Sequence, residues 1–340
     1  MKTLTFAAIE TLAIRALEAS NVSAANAHSV AASIAAAERD GQPIVGLSYL
    51  PTYCDHAACG KVDGHAVPTL DFRGPAVFRV DARAGFAHPA LSLGLPTLAA
   101  AARRDGLGAL SVSNSYACGS LGYFVEKLAE DGLIAIMVAN ASPSMAPFGG
   151  KVPFFGTNPI AFATPRLTGP PLVIDQSSSM VAKVAVIDAH RRGVALPDGW
   201  ALDADGLPTT DAEAAMAGSL LPIGGYKGFG LALLVDVLAG GLAASNFSYE
   251  ASSFGDCNGG PPRTGQFVIA IDPVRFAGGT FSARVEAMLT AVQSESTVRL
   301  PGERRLAARR AHEIGIPVST QTIALLEAYA GRASAFLRES

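Results

Sequence analysis

The chain is poor in charge, cysteine and tryptophan. Only 16% of its 340 residues are charged, against 49% apolar, which excludes a solvated disordered polymer and describes the well-buried core of one large or two smaller domains. Neither sign of charge dominates. A net charge of −3 with acids and bases interspersed leaves no basic stripe for a nucleic-acid backbone and no polybasic run for an anionic membrane. Long apolar runs are also missing: in the opening MKTLTFAAIETLAIRALEAS, Glu10 and Arg15 interrupt the pattern before it can form a signal core or span a bilayer. A cytoplasmic protein is expected. Of the four cysteines only Cys54 and Cys59 are close, and a zinc site would have to recruit His56 and His65 around them, so no metal is expected and free thiols in a reducing compartment are.

Three common site motifs are absent as well. No G-x-G-x-x-G dinucleotide fingerprint joins a strand to a helix; GGYKGFGLAL (224–233) has glycines at other spacings and no convincing strand before it. Lys227 is followed by glycine where a P-loop requires Ser or Thr. No G-x-S-x-G elbow occurs, which disfavours an α/β-hydrolase.

What is present is an alternation of strands and helices with helical segments at both ends. Helices are expected over about 5–19, from Asn21 or Ser23 as cap to the Asp40-Gly41 stop, and over LPTYCDHAACGKVDG up to Gly60. A turn-rich passage follows with Pro68, Gly74 and Pro75. The β-branched runs 76–82, 108–114, 133–140, 160–165, 171–177 and 266–272 read as strands, with helices between them at about 89–104, 120–131, 177–191 and 228–244. Thr210 and Glu213 have the spacing of a capping box. These elements imply an α/β sheet domain over 73–287 and a discontinuous helical domain made of 1–72 with 288–340, the two chain ends packing together.

Polar and glycine clusters fall at strand ends, the usual place for ligands in α/β sheets. Taken singly each is a capped turn: FGTNP before a strand, DQSSS before a helix, PGERR as a helix start. Their joint order is more specific. FFGTNPIAFATP, then PPLVIDQSSS, PDGWALDADGLPTTD, GGYKGFGLALLVDVLAGGL and LPGERR closely resembles the type-2 malate/L-lactate dehydrogenase family of NAD(P)-dependent oxidoreductases over nearly the whole chain. That family includes ureidoglycolate and sulfolactate dehydrogenases and the reductases of Δ1-piperideine- and Δ1-pyrroline-2-carboxylate. The resemblance implies a non-classical, non-Rossmann NAD(P)-binding fold, a homodimer, and NAD or NADP as cofactor.

Carried over residue by residue, the resemblance implies that Thr157 and Asn158 face substrate and nicotinamide. It implies cofactor contacts for Asp175, Gln176 and Ser177, for Lys227 and Gly228, for Gly302 to Arg304, and for Cys118, Gly119 and Ser120 after the 108–114 strand. Amides at a helix N-terminus and an arginine are suited to phosphates. The catalytic loop departs from the family. Where relatives read S-H-G-x-x-R-L-P, this chain has Ile44 and Val45 for the serine and histidine that handle the proton, and Tyr49 for the arginine that clamps a carboxylate. Tyr116 and Ala117 stand for a histidine pair, and Ala185 for an acid. Lys183, Tyr49 and Tyr116 are the candidate replacements. The expected activity is hydride transfer to a small 2-oxo acid or a cyclic imino acid, the latter needing less help because an imine arrives protonated. The alternatives are a substrate without a carboxylate, and a degenerate homologue that binds the dinucleotide without redox chemistry.

Overall fold

The computed structural model describes residues 1–295 and 297–331; the last part of the expected helical domain, beyond 331, lies outside the described residues. The chain opens with strand β1 (Lys2–Leu4) and helices α1 (Phe6–Glu18) and α2 (Ala24–Arg39). Thr5 caps α1 by accepting from the Ala8 amide at 3.1 Å. Ser23 holds the cap position of α2 without a side-chain bond, and Asn21 turns through a positive φ of 67°. A single 3₁₀ turn (Pro43–Val45) leads to α3 (Leu50–Ala58).

The main sheet then begins with the hairpin β2 (Thr69–Gly74) and β3 (Val77–Asp81), followed by α4 (Ala87–Asp105), β4 (Leu107–Ser115), α5 (Gly122–Glu130), β5 (Ile134–Ala139), β6 (Ile160–Thr164) and β7 (Leu172–Gln176). Then come α6 (Lys183–Arg192), short strands β8 (Ala201–Leu202) and β9 (Pro208–Thr209), α7 (Ala212–Ala217), β10 (Ser219–Leu220) and α8 (Tyr226–Asp236). The chain continues with β11 (Thr264–Ile271), α9 (Pro273–Ala277), α10 (Phe281–Val292), α11 (Glu303–Ala311), β12 (Ile316–Val318) and α12 (Thr320–Ala330).

The seven-stranded sheet has the order β2-β3-β4-β11-β5-β6-β7 and is mixed: β3 and β4 are parallel and every other neighbouring pair is antiparallel. Consequently β4, β5 and β7 run the same way and end at one edge, where β11 and β6 begin. Alternation along β4 turns Leu110 and Val112 toward α4 and α5, where Leu91, Leu98, Phe124 and Val125 meet them; each such burial contributes about 1.5–3 kcal/mol. The opposite face is covered by α8 and the wide helical turn that continues it over Val237–Leu242, with Val235 and Ala239 against Val138 and Phe267. The two described chain ends meet: β1 pairs with β12 and α12 packs on α1. Their core, with α2 and α3, includes Phe86 and Tyr116 from the sheet side, which seats the helical layer on the ligand-bearing edge. A third, smaller core gathers α6, α7 and the β10-β8-β9 sheet around Met145, Phe155 and Val186.

Several expectations are corrected. The passage with Pro68, Gly74 and Pro75 contains β2, which spans the boundary expected between 72 and 73. The helix expected from 177 starts only at Lys183, because Ser177 and Ser179 bond the carbonyls of Ser179 and Val181 and hold the backbone in bends. The cap of α7 is Asp211, accepting from the Glu213 amide at 2.9 Å, while the Thr210 carbonyl is taken by the Leu196 amide. The cysteines are not all free thiols: Cys59 is bonded to Cys257, 198 residues away, with Cα atoms 6.3 Å apart; Cys118 keeps a free, buried thiol. Among the described residues no helix is long and apolar enough to cross a membrane, and no group of three or more His, Cys, Asp and Glu is placed to hold a metal ion.

Candidate active site

The ligand-bearing edge is stitched by Ser178, a fully buried residue just past β7. Its amide donates to the Thr157 carbonyl (2.8 Å), its hydroxyl to the Asn158 carbonyl (2.6 Å), and its carbonyl accepts from the Ile223 amide (2.9 Å). The TN turn, the DQSSS segment and the start of α8 are thereby one unit. Asn158 has a φ of 38° and no exposed surface. Its Nδ2 donates to the Ala232 carbonyl at 3.0 Å, and its Oδ1 faces the Ser248 hydroxyl at 3.1 Å. Ser248 also meets Asp236 Oδ1 at 3.0 Å, which accepts from Asn140 Nδ2 at 2.9 Å. Desolvation raises the Asp236 pKa, and the Asn140 and Ser248 bonds oppose it. The side chain of Asn158 thus holds α8 against the sheet, while Thr157 is half-buried at the surface of the turn. Lys227 is exposed in the first turn of α8; Gly228 is buried, and a Cβ there would lie 2.2 Å from the Ile223 carbonyl oxygen.

The other half of the edge forms around β7. Asp175 Oδ2 accepts from Ser120 Oγ (2.8 Å) and from the Gly122 amide (2.7 Å) at the start of α5. Asp175 retains exposed surface, yet its carboxylate is crowded by protein, and that desolvation raises its pKa against the pull of the Gly122 and Ser120 bonds. Beside it, burial first and then the Asp175 charge push the Cys118 thiol up to about 12. Gly302, at a φ of 84°, precedes α11; a Cβ there would be 3.0 Å from the Val173 carbonyl oxygen, so glycine lets the PGERR turn close on β7. Arg304 is exposed in the first turn of α11 and Gln176 is exposed beside β7's end; Ser177 and Gly119 are half-buried. Arg305 instead turns inward to Glu126, at 2.8 and 2.9 Å.

The loop over 43–49 joins this edge through its tyrosine. Ile44 is exposed and Val45 half-buried, so the positions where relatives carry serine and histidine present an apolar surface. Glu38, buried at the end of α2, fastens the loop by accepting from the Leu47 amide at 2.7 Å; desolvation raises its pKa, against that bond and the charge of His312. Half-buried Tyr49 meets Tyr53 edge-on with ring centroids 4.8 Å apart, and Tyr53 in turn packs against Tyr116 at 5.9 Å. Burial pushes the Tyr49 phenol up to about 12 and raises the Tyr116 phenol well above its ordinary value. Tyr116 has no exposed surface, and its hydroxyl is bonded to His56 Nδ1.

The structure thus groups Tyr49 and Tyr116 around Tyr53, ties Ser120 and Gly122 to Asp175, closes Gly302 on Val173 with the exposed Arg304 two residues on, and joins Thr157 to the Ile223–Gly228 approach through Ser178. Lys183 is not among them: it is exposed at the start of α6, lining a crevice with Ser144, Pro153 and Met216. Sequence reasoning missed Ser178 and His56. The second left a signal, because Tyr49, Tyr53 and His56 recur at helical spacing on one side of α3.

Comparison with known proteins agrees with this architecture. The structure of Δ1-piperideine-2-carboxylate reductase from Pseudomonas syringae pvar. tomato superposes with a TM-score of 0.93 at 38% identity, over 97% of this chain and 100% of that one. The family model described as malate/L-lactate dehydrogenase matches residues 4–327, and the chain belongs to that family of oxidoreductases. Similar sequences include (2R)-3-sulfolactate dehydrogenase (NADP(+)) of Chromohalobacter salexigens, 45% identical over 94% of this chain and 96% of that one. Another is the Δ1-pyrroline-2-carboxylate/Δ1-piperideine-2-carboxylate reductase of Pseudomonas putida, 40% identical over 88% and 89%.

Proposed function

We propose that the chain is an NAD(P)-dependent oxidoreductase that reduces a small 2-oxo acid or cyclic imino acid, or oxidises the corresponding hydroxy or amino acid. The dinucleotide site is of a non-classical kind, without the Rossmann glycine fingerprint. The observation that carries the reading is the closure of two separate segments, 118–122 and 302–304, on β7, the first at Asp175 and the second at Val173. They suit a dinucleotide: Gly302 opens room at the strand, the amides at the start of α11 and the exposed Arg304 can face phosphate, and Gln176 and Ser177 offer polar tips for a carboxamide. Lys227 and Gly228 would border the same ligand, with Cys118, Gly119 and Ser120 beneath it and Thr157 toward the substrate. When bound, the nicotinamide supplies the hydride; the protein's own groups orient the acceptor and manage its proton. The relatives named as acting on a sulfolactate and on cyclic imino carboxylates support an acidic substrate.

The test is a loss of reduced-nicotinamide absorbance over a panel of 2-oxo acids, cyclic imino acids and uncharged carbonyls with both nucleotides. Turnover confined to acidic acceptors is expected; turnover only with uncharged ones would favour a substrate without a carboxylate, which the replacement of the family arginine by Tyr49 would suit. Dinucleotide binding without turnover of any acceptor would instead identify a degenerate member. Replacing Arg304 by alanine should weaken dinucleotide binding by about 1.5–3 kcal/mol, roughly 10- to 150-fold, as for a charge-assisted phosphate contact. An unchanged dissociation constant measured by fluorescence would remove Arg304 from the site.

The same reading includes a homodimer. Leu233, Leu234, Val237 and Leu242 are each at least 47% exposed on α8 and its continuation, a contiguous apolar face of the kind that a second copy covers. Leu234→Lys is expected to shift the sedimentation coefficient of the chain toward that of a monomer, and an unshifted dimer would place the interface elsewhere.

A further inference from the structure

We propose that the Cys59–Cys257 bond is a reversible thiol–disulfide switch, opened by a dithiol, that sets how firmly the 252–262 loop clamps the aromatic row beside the substrate loop. The switch deepens the proposed oxidoreductase and rests on that reading for its effect on turnover. Both half-cystines are exposed, so a thiolate can reach the bond without unfolding the chain. Exposed disulfides are the ones that exchange, whereas resistant ones act as permanent staples. Cys59 lies just past α3, and Cys257 at the tip of a loop that contains three glycines and no helix or strand. The place of such a loop depends on what ties it down.

The disulfide sits directly on α3, with Cys59 Sγ 3.7 Å from the His56 carbonyl oxygen and Cys257 Sγ 3.9 Å from that of Asp55. Beside it, Lys61, only 1% exposed, donates to the Asn258 carbonyl at 2.5 Å. Phe254, half-buried, meets Tyr116 edge-on with ring centroids 5.1 Å apart. Tyr116 packs on Tyr53 and Tyr53 on Tyr49, so ring contacts lead from the loop to the residue that stands where relatives carry an arginine. Several bonds of the tip close within the loop: Ser252 Oγ to the Gly260 carbonyl at 2.7 Å, the Gly255 amide to Ser253 Oγ at 2.9 Å, and the Asn258 amide to Asp256 Oδ1 at 2.7 Å. They keep the internal shape of the loop, while its seat on α3 is left to the disulfide, the lysine and the phenyl ring.

The exchange needs a dithiol as reductant, which supplies two electrons and two protons. One thiolate of the dithiol attacks a sulfur of the pair, the Cys59–Cys257 bond breaks, and the departing sulfur takes a proton. The second thiol then closes the reductant's own disulfide and frees the other cysteine as a thiol. A small disulfide as oxidant runs both steps backward. Once the bond is open, the tip loses its covalent seat, Phe254 spends time away from Tyr116, and Tyr49 is less firmly buttressed. The contacts of Asp175 and Val173 on β7 do not involve the loop, so the proposed dinucleotide side is left as it was.

The test uses the full-length chain, oxidised with glutathione disulfide and then treated with dithiothreitol. Native thiol titration should find no fast-reacting thiol before treatment and two after it, mapped to Cys59 and Cys257 by alkylation, since Cys54 and Cys118 are 0% and 4% exposed. Hydrogen exchange should quicken over 252–262 and stay unchanged in β5 and β6. Reduction should raise KM for the acceptor by at least about 5-fold, the low end of coupling between two sites, with dinucleotide affinity unchanged. Cys257→Ser should match the reduced chain and ignore dithiothreitol. Phe254→Ala should raise KM with the disulfide intact, which a purely covalent staple would not produce. A pair that does not form on oxidation, that resists dithiothreitol in the folded chain, or that opens without faster loop exchange overturns the switch. So does an opened chain whose KM is unchanged or lower. If neither form turns over any acceptor, the proposed function fails, and the thiol counts with the loop exchange still decide the switch.

Discussion

Glu126→Ala should lower the stability of the chain by about 3–5 kcal/mol, the cost of removing one partner from a buried ion pair. Glu126 is shared by Arg305, at 2.8 Å, and Arg309, at 2.6 Å, with side chains 6%, 8% and 18% exposed. Asp40 completes the cluster but does not replace the missing acid: it holds Arg309 at 2.5 Å and reaches Arg305 only at 3.6 Å. Arg305 would be left almost fully buried with no close partner among the described residues. Burial alone would raise the Glu126 pKa, but the bonds and charges of Arg309 and Arg305 outweigh it and hold the group below 4.5. A depressed carboxylate pKa contributes stability that is fully present above the unfolded value and is lost as pH falls through the folded value. Urea titrations should therefore show a lower midpoint for the variant at pH 7, with an unchanged slope, and a gap from the wild type that narrows below pH 4. A stability difference of less than about 1 kcal/mol would mean that Asp40 satisfies both arginines.

The second large effect belongs to Gly228→Ala. The new methyl would lie 2.2 Å from the Ile223 carbonyl oxygen and 2.6 Å from its nitrogen, both backbone atoms, so no side chain can swing away to admit it. The Ile223 amide is held by Ser178, so displacement spreads to Thr157 and Asn158. Overpacking of this kind costs about 1–3 kcal/mol, and here it should also weaken dinucleotide binding, since both sides of the proposed cofactor turn are moved together. The control lies two residues on. A Cβ at Gly230 meets nothing within 4 Å, and Gly230→Ala in the same helix should be neutral or stabilising by about 0.5–1 kcal/mol. Equal thermal midpoints for the two variants would refute the close-approach argument.

How far the molecule could be read from its residues depends on the range of the forces involved. The β-branched strands and the helices after them were legible because hydrophobic periodicity is local; 108–114 and 133–140 fall within a residue or two of β4 and β5. The start of α6 was not, because the serines of DQSSS can either cap a helix or bond their own backbone, and only packing decides. β2 was hidden between Pro68 and Gly74-Pro75, whose turn signals outweigh a strand of mixed polarity. Cys59 and Cys257 could not be paired because nothing local links residues 198 apart. At the candidate site the motif segments were visible as motifs, but what joins them was not. Ser178 looked like one serine of three, and Arg305 like an equal of Arg304, although one side chain is buried on Glu126 and the other is exposed.

The pairing of Lys2 with Val318 sets a constraint on how the protein is made. While the ribosome is still working through the middle of the chain, α1 and α2 have emerged with their apolar faces but without α12 or β12 to cover them. At a synthesis rate of about 5–20 residues per second, that exposure lasts roughly 15–60 s. The sheet can assemble as soon as β11 has emerged, well ahead of the helical layer. The opening helices are thus the segment most in need of a chaperone, and a truncation that removes α12 should leave a folded sheet carrying an unsheltered, aggregation-prone N-terminus.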